Sequence, residues 1–208
     1  MKKVILLAGL LASTGTWAAE NDFYVLGQLG QTRLLYPQVS TDARLQQSLP
    51  APTSLQSVVN NNPAAYKLQL GYQLDARWAI EGGYADLGQV SYNVTGTSAG
   101  IPFTAAEIAR VKAWNINAIG KIPVNEHFSL LGKVGFSRVD VTNNATFPAV
   151  GVASWVNANT IKTGLTYGLA MHIEVNKQIF ARADMDSYDT GVATGRINVW
   201  TLGLGYKF

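Results

Sequence analysis

No cysteine occurs in the 208 residues, which excludes a disulfide-stapled secreted fold and any thiolate metal site. Histidine is almost as scarce, with 2 residues, and neither sits at a spacing that binds zinc. Charged side chains make up only 14%, well below the roughly one quarter of an ordinary soluble domain. Yet no apolar run is long enough to cross a bilayer as a helix. A chain that is 48% hydrophobic, poor in charge and without a spanning helix can carry its apolar residues at alternate positions of strands, as strand-built membrane proteins do. No Gly-Lys pair is followed by Ser or Thr, so a phosphate-cradling loop is excluded as well.

Residues 1–18 form a separate object. Lys2 and Lys3 precede the apolar run Val4 to Leu11, then Ala12, Ser13, Thr14 and Gly15, with small residues at Thr16 and Ala18. This reads as a secretory signal peptide cleaved after Ala18, with Ala19 as the other candidate, leaving residues 19–208 as one barrel domain. Its removal takes the 16 basic residues to 14 against 13 acidic ones, and the formal charge from +3 to +1. No Lys/Arg cluster follows residue 3, so nothing favours nucleic acid as a partner.

The end of the chain carries the sharpest pattern. Trp200, Leu202, Leu204, Tyr206 and Phe208 alternate with Thr201, Gly203, Gly205 and Lys207, the period of a strand with one apolar face and one small or polar face. An edge strand of a soluble sandwich would show alternation too, but its second face would usually be charged and solvated. Apolar outside and polar inside fits a transmembrane barrel closed by its last strand.

Seven further alternating segments precede it. They begin near Phe23, Tyr66, Trp78, Trp114, Phe128, Leu165 and Ile179. Connections alternate between long ones, about 31–64, 86–107, 138–160 and 186–196, and short turns at 75–77, 123–127 and 175–178. All 7 prolines fall in these expected loops or turns, in keeping with their missing N–H. The expected fold is all-β: an eight-stranded antiparallel up-and-down transmembrane β-barrel with long outer loops and short periplasmic turns, both ends of the chain lying at the short-turn side.

The hairpin Gly71 to Gly88, GYQLDARWAIEGGYADLG, together with KIPVNEHFSLLGKVGF and WTLGLGYKF, resembles the OmpA-like transmembrane barrels. The resemblance covers nearly all of residues 19–208, without the family's periplasmic peptidoglycan-binding domain. It implies that Trp200, Leu202, Leu204, Tyr206 and Phe208 form an assembly signal read by the barrel-assembly machinery. It also implies a central lumen pair like the family's Glu–Arg pair, at Glu81 and Arg182. The family's partner-exchange gate needs a Lys where this chain has Asn117 or Ile119 and a Glu where it has His172, so the residues of that gate are not matched here.

Counted from their turns, Glu81 and Arg182 stand at equal heights on the third and seventh of eight strands and are expected to meet across the lumen. Lys133 and Asp184, about two residues higher, form a second expected pair. Unpaired charges would be costly in a barrel narrow enough to be filled by side chains. His127, in a turn, and His172, near another, lie at the end away from the outer leaflet, where acyl-transferring barrels need their catalytic groups. The expectation is therefore a non-enzymatic, porin-like envelope protein without cofactor or metal. It would contact outer-membrane lipid and lipopolysaccharide, and host or phage surface ligands through its loops; a narrow pore is the alternative and a lipid A-modifying enzyme the third reading. Among the loops, the third carries the large apolar residues Phe147, Pro148, Val150, Val152, Trp155 and Val156, suited to a contact site or to strand extension.

Overall fold

The computed structural model describes residues 23–34, 38–51, 53–149, 152–189 and 196–208, so the signal-peptide segment lies outside the described residues. In chain order the elements are β1 (Phe23–Leu34), α1 (Gln38–Ser48), β2 (Thr53–Asn60), β3 (Ala64–Gln73), β4 (Trp78–Ser98), β5 (Ile101–Pro123), β6 (Phe128–Ala149), β7 (Val152–Glu174), β8 (Ile179–Asp189) and β9 (Arg196–Lys207). Eight of the strands form a closed antiparallel ring; β1 pairs with β9 and β3, and β4 with β5, while β2 adds itself only to the outer part of β4. Closure leaves the ring itself without an edge.

Alternation dictates which side chains meet which solvent. Leu202 is 69% exposed and Trp114 64% exposed on the outer face, whereas Thr201 and Asn115 beside them are buried inside. Outward aliphatic and aromatic residues of this size are stable only against hydrocarbon.

The short turns share one design. Asp75 accepts hydrogen bonds at Oδ1 from the backbone N–H groups of Arg77 (2.7 Å) and Trp78 (2.8 Å). Asn125 does the same for His127 and Phe128, and Asn176 for Gln178 and Ile179. In each, the residue before the Asx donates its N–H to the carbonyl of the first residue of the next strand. An Asx side chain that caps its own turn fixes hairpin register.

All four expected long loops are corrected by the structure, which also places Pro102 in β5 and Pro148 in β6 rather than in loops. The first, rather than being irregular throughout, contains α1 and β2. Segments 86–107 and 138–160 are strand over most of their length, β4 and β5 turning at Ala99–Gly100 and β6 pairing β7 up to Ala149↔Val152. Alternating Val90, Tyr92 and Val94, with β-branched residues around them, supply the strand preference. The fourth connection is shorter than expected because β8 runs to Asp189. The side chains of Phe147, Pro148, Val152, Trp155 and Val156, and all of Val150, lie outside the described residues.

A bulge makes the β4–β5 extension possible. Pairing shifts between Asp86 and Gln89, where Gly88 has φ 85° and donates its N–H to Asp86 Oδ1 at 2.9 Å. The extra residue reverses which parity points inward. Below it Glu81, Ala85 and Leu87 face the interior; above it Val90, Tyr92 and Val94 do.

Candidate functional site

The interior is stacked in layers. At the short-turn end Tyr24, Leu26 and Phe180 pack together, beside Ala79, Ile119, Leu131 and Ala170. Gly205 makes room for this layer, since a Cβ there would collide with the Phe180 ring. At the loop end Leu87, Val90, Val111, Val139, Tyr188 and Val199 form a second apolar layer. The lumen is thus not uniformly polar, as the Thr-Gly-Gly-Lys face of β9 had suggested; the small residues on that face accommodate large rings from other strands.

Between the two apolar layers lies an ionic one. Arg182, on β8, grips Glu81, on β4, with both terminal nitrogens, Nη1 to Oε1 and Nη2 to Oε2 at 2.9 Å. Tyr24 donates its hydroxyl to Glu81 Oε1 at 2.7 Å. The same guanidinium donates from Nε to Asp184 Oδ1 at 2.9 Å. Lys133 Nζ reaches Asp184 Oδ2 at 2.5 Å and Asp186 Oδ1 at 2.5 Å. Lys67, from β3, contacts Asp184 Oδ2 at 3.3 Å and also Asp186.

The structure therefore brings Glu81 to Arg182 and Lys133 to Asp184, and it joins both pairs into one network through Asp184. Sequence reasoning missed Lys67 and Asp186: both lie on inward positions, but Asp186 fell in the expected fourth loop, and joining either to the network takes the full register. Three cations, Arg182, Lys133 and Lys67, balance three carboxylates, Glu81, Asp184 and Asp186. All six are buried. Each is multiply bonded, the condition under which buried charge is tolerated.

Asn117 is an inward wall residue and Ile119 part of the lower apolar layer. His172 bonds Glu174 at 2.9 Å and stacks on Phe180 at 4.6 Å between centroids. Glu174 Oε1 also accepts from Lys207 Nζ at 2.6 Å and from Lys121 Nζ at 3.3 Å. This polar ring closes the short-turn end; His127 lies in the turn between β5 and β6. No group of three or more His, Cys, Asp or Glu side chains suited to a metal ion occurs among the described residues.

Beyond the upper layer the first loop folds over the β4–β5 extension. Leu45 of α1 is buried against Tyr92, Val94 and Ala105. Asp42 ties the helix down, accepting from Tyr92 at 2.5 Å and from Ser57 of β2 at 2.7 Å. Of the C-terminal strand, Trp200, Leu202, Leu204 and Tyr206 face outward, and Phe208, 65% exposed, donates its N–H to the Phe23 carbonyl at 2.9 Å.

A closed eight-stranded ring with an apolar outer band and a filled interior is the build of a small outer-membrane barrel. The outer membrane protein beta-barrel domain family matches residues 4–208. The chain belongs to that family. Its place is the bacterial outer membrane, with the short turns on the periplasmic side. Solved structures share the fold of this outer-membrane barrel at low identity. The attachment invasion locus protein Ail of Yersinia pestis, in complex with the heparin analogue sucrose octasulfate, is 14% identical, with TM-score 0.53, covering 91% of this chain and 100% of its own. The outer membrane protein OprG of Pseudomonas aeruginosa is 12% identical, with TM-score 0.54, covering 90% and 96%. The N-terminal barrel of OprF from the same organism is 14% identical, with TM-score 0.50, covering 89% and 97%. No curated protein sequence matches the chain.

Proposed function

We propose that this outer-membrane barrel is a non-enzymatic envelope scaffold whose closed interior holds the extracellular segments rigid for surface interaction. The observation that carries the reading is the ionic layer of Glu81, Arg182, Asp184, Lys133, Lys67 and Asp186 enclosed between two apolar layers. An aqueous path would have to cross both. Both histidines lie at the periplasmic end, and His172 is held by Glu174 and Phe180, which supports a structural role for them. What remains for function is the loop end, where a rigid scaffold displays α1, β2 and two strand hairpins. Host or phage surface molecules are the partners such a display would meet.

A narrow pore is the second reading. It is favoured by the Gln28 amide and by the hydroxyls of Ser137 and Thr201, which are buried on the lumen wall without a hydrogen-bond partner and would suit a hydrated path. Two assays separate the readings. Cells displaying the intact barrel, or one with residues 38–60 replaced by a short linker, are compared for binding to host cells and phage. The scaffold reading expects binding to be lost with the segment, and liposomes carrying the barrel not to swell in sugar. Swelling with retained binding would favour the pore.

A further inference from the structure

The lipid-facing wall is not a smooth cylinder. In the middle of β8 the outward side chains are small, Ala181 and Ala183, between the larger Ile179 and Met185, while the registered neighbours on either side are large: Leu204 and Leu202 on β9, Ile173 and Met171 on β7. The result is a groove running up the membrane-embedded surface. Two open hollows, of about 660 Å³ and about 460 Å³, meet over it and share Met171, Ala183 and Leu202; the larger spreads sideways to Leu29 on β1 and Leu130 on β6.

The outer end of this groove changes character. Trp200 pairs with Met185 and Tyr167 with Ser187, placing two amphipathic rings there, where such rings favour the membrane interface. Above them Arg196 lies with its guanidinium 4.3 Å over the Tyr167 ring, held by Ser187 Oγ at 2.9 Å and by the Leu165 carbonyl at 3.1 Å. Across Asn198 from it, on β1, stands Arg33, exposed and without an ion pair among the described residues. Asp189, the carboxylate in register with Arg196, is bonded by Lys162 at 3.1 Å, so this edge gathers the cations Arg33, Arg196 and Lys162 around it.

We infer that this surface is a binding site for one phosphorylated, acylated glycolipid of the outer leaflet, the lipid A part of lipopolysaccharide. One acyl chain would lie in the β8 groove and a phosphate between Arg33 and Arg196. The charge lies at the outer-leaflet end, which selects against a phospholipid of the inner leaflet. Guanidinium groups bind phosphate by paired, charge-assisted hydrogen bonds. A chain seated over Ala181 and Ala183 contacts the ridges on both sides, and each methylene removed from water adds to its retention. The two arginines differ in role: Arg196 is positioned in advance by its partners in the barrel, whereas Arg33 is free to close on the headgroup. The inference stands apart from surface binding by the loops, because it needs only the membrane wall.

The test is native mass spectrometry of the full barrel, freed of lipid and refolded in detergent, titrated with lipid A, with lipid A lacking both phosphates and with phosphatidylglycerol. Wild type should bind a single lipid A, and the dephosphorylated form and phosphatidylglycerol about tenfold or more weakly. Ala183→Phe, which fills the groove from the lipid side, and Arg33→Ala should each weaken lipid A binding by about tenfold. Ala118→Phe on β5, outward and exposed across the barrel, should leave binding unchanged. Should Ala183→Phe fail to refold, Arg33→Ala and the phosphate-free lipid decide alone. Equal binding by wild type and the Arg33 variant, equal binding of phosphatidylglycerol, or equal weakening by Ala118→Phe would each overturn the assignment.

Discussion

Arg182 and Glu81 stand on opposite walls of the barrel and meet through a two-pronged contact, with Nη2 2.9 Å from Oε2. A bidentate guanidinium–carboxylate pair closed off by apolar layers is the kind whose single disruption is costly, because the surviving charge is left without its partner. Glu81→Gln or Arg182→Gln alone should destabilise the barrel by about 3–5 kcal/mol. The double variant should recover part of the loss. A double-mutant cycle by urea unfolding in lipid vesicles reads the coupling, and a value below about 0.5 kcal/mol would show that the two residues do not interact.

Phe208 lies on the outer apolar face, its ring packed edge-on against Tyr206 at 5.3 Å between centroids, and we propose, from its resemblance to an assembly signal, that it acts before folding is complete. Phe208→Ala should lower the amount of barrel reaching the membrane more than it lowers the stability of barrel already there. Pulse-chase extraction of membranes checks this; wild-type levels of assembled variant would contradict it.

Gly205 lies directly beneath the Phe180 ring. Gly205→Ala should therefore push the ring from the lower layer and cost about 1–3 kcal/mol, the range of small-to-large changes in packed interiors. Pairing it with Phe180→Leu should restore much of the loss. Additive losses in urea titrations would mean that the ring is not held there.

Asp42 links α1 to Tyr92 and Ser57 through separate carboxylate oxygens. Asp42→Ala leaves the barrel wall untouched but removes both ties, so residues 38–60 should be cleaved by protease roughly tenfold faster, as the loss of one or two hydrogen bonds implies. Barrel unfolding should shift by less than about 0.5 kcal/mol. An unchanged cleavage rate would show that Leu45 packing and the β2–β4 pairing fix the segment without Asp42.

Much of this was legible in the sequence for a physical reason: side chains in a barrel wall alternate between lipid and lumen, so parity places Glu81, Arg182, Lys133 and Asp184 inside and Leu202 and Trp114 outside. Lys67 and Asp186 obeyed the same parity but needed the full register to be joined to the network. The Asx turns at Asp75, Asn125 and Asn176 were written plainly as an apolar residue followed by Asp or Asn at each short turn. The loop extensions were harder. Gly88 inserts a residue and reverses the parity above it, so a single alternating pattern breaks at Asp86 although the strand does not. α1 has no strong amphipathic signature, because one buried residue, Leu45, anchors it and polar bonds supply the rest.

The closed lumen is tested most directly by single-channel recording of the purified barrel in planar bilayers, comparing wild type with Glu81→Gln and with Leu87→Asp, which places a charge in the upper apolar layer. Wild type and Glu81→Gln should give no stable openings, since the apolar layers at both ends remain; Leu87→Asp should admit water and produce small, brief ones. Stable openings in the wild-type barrel would contradict the account.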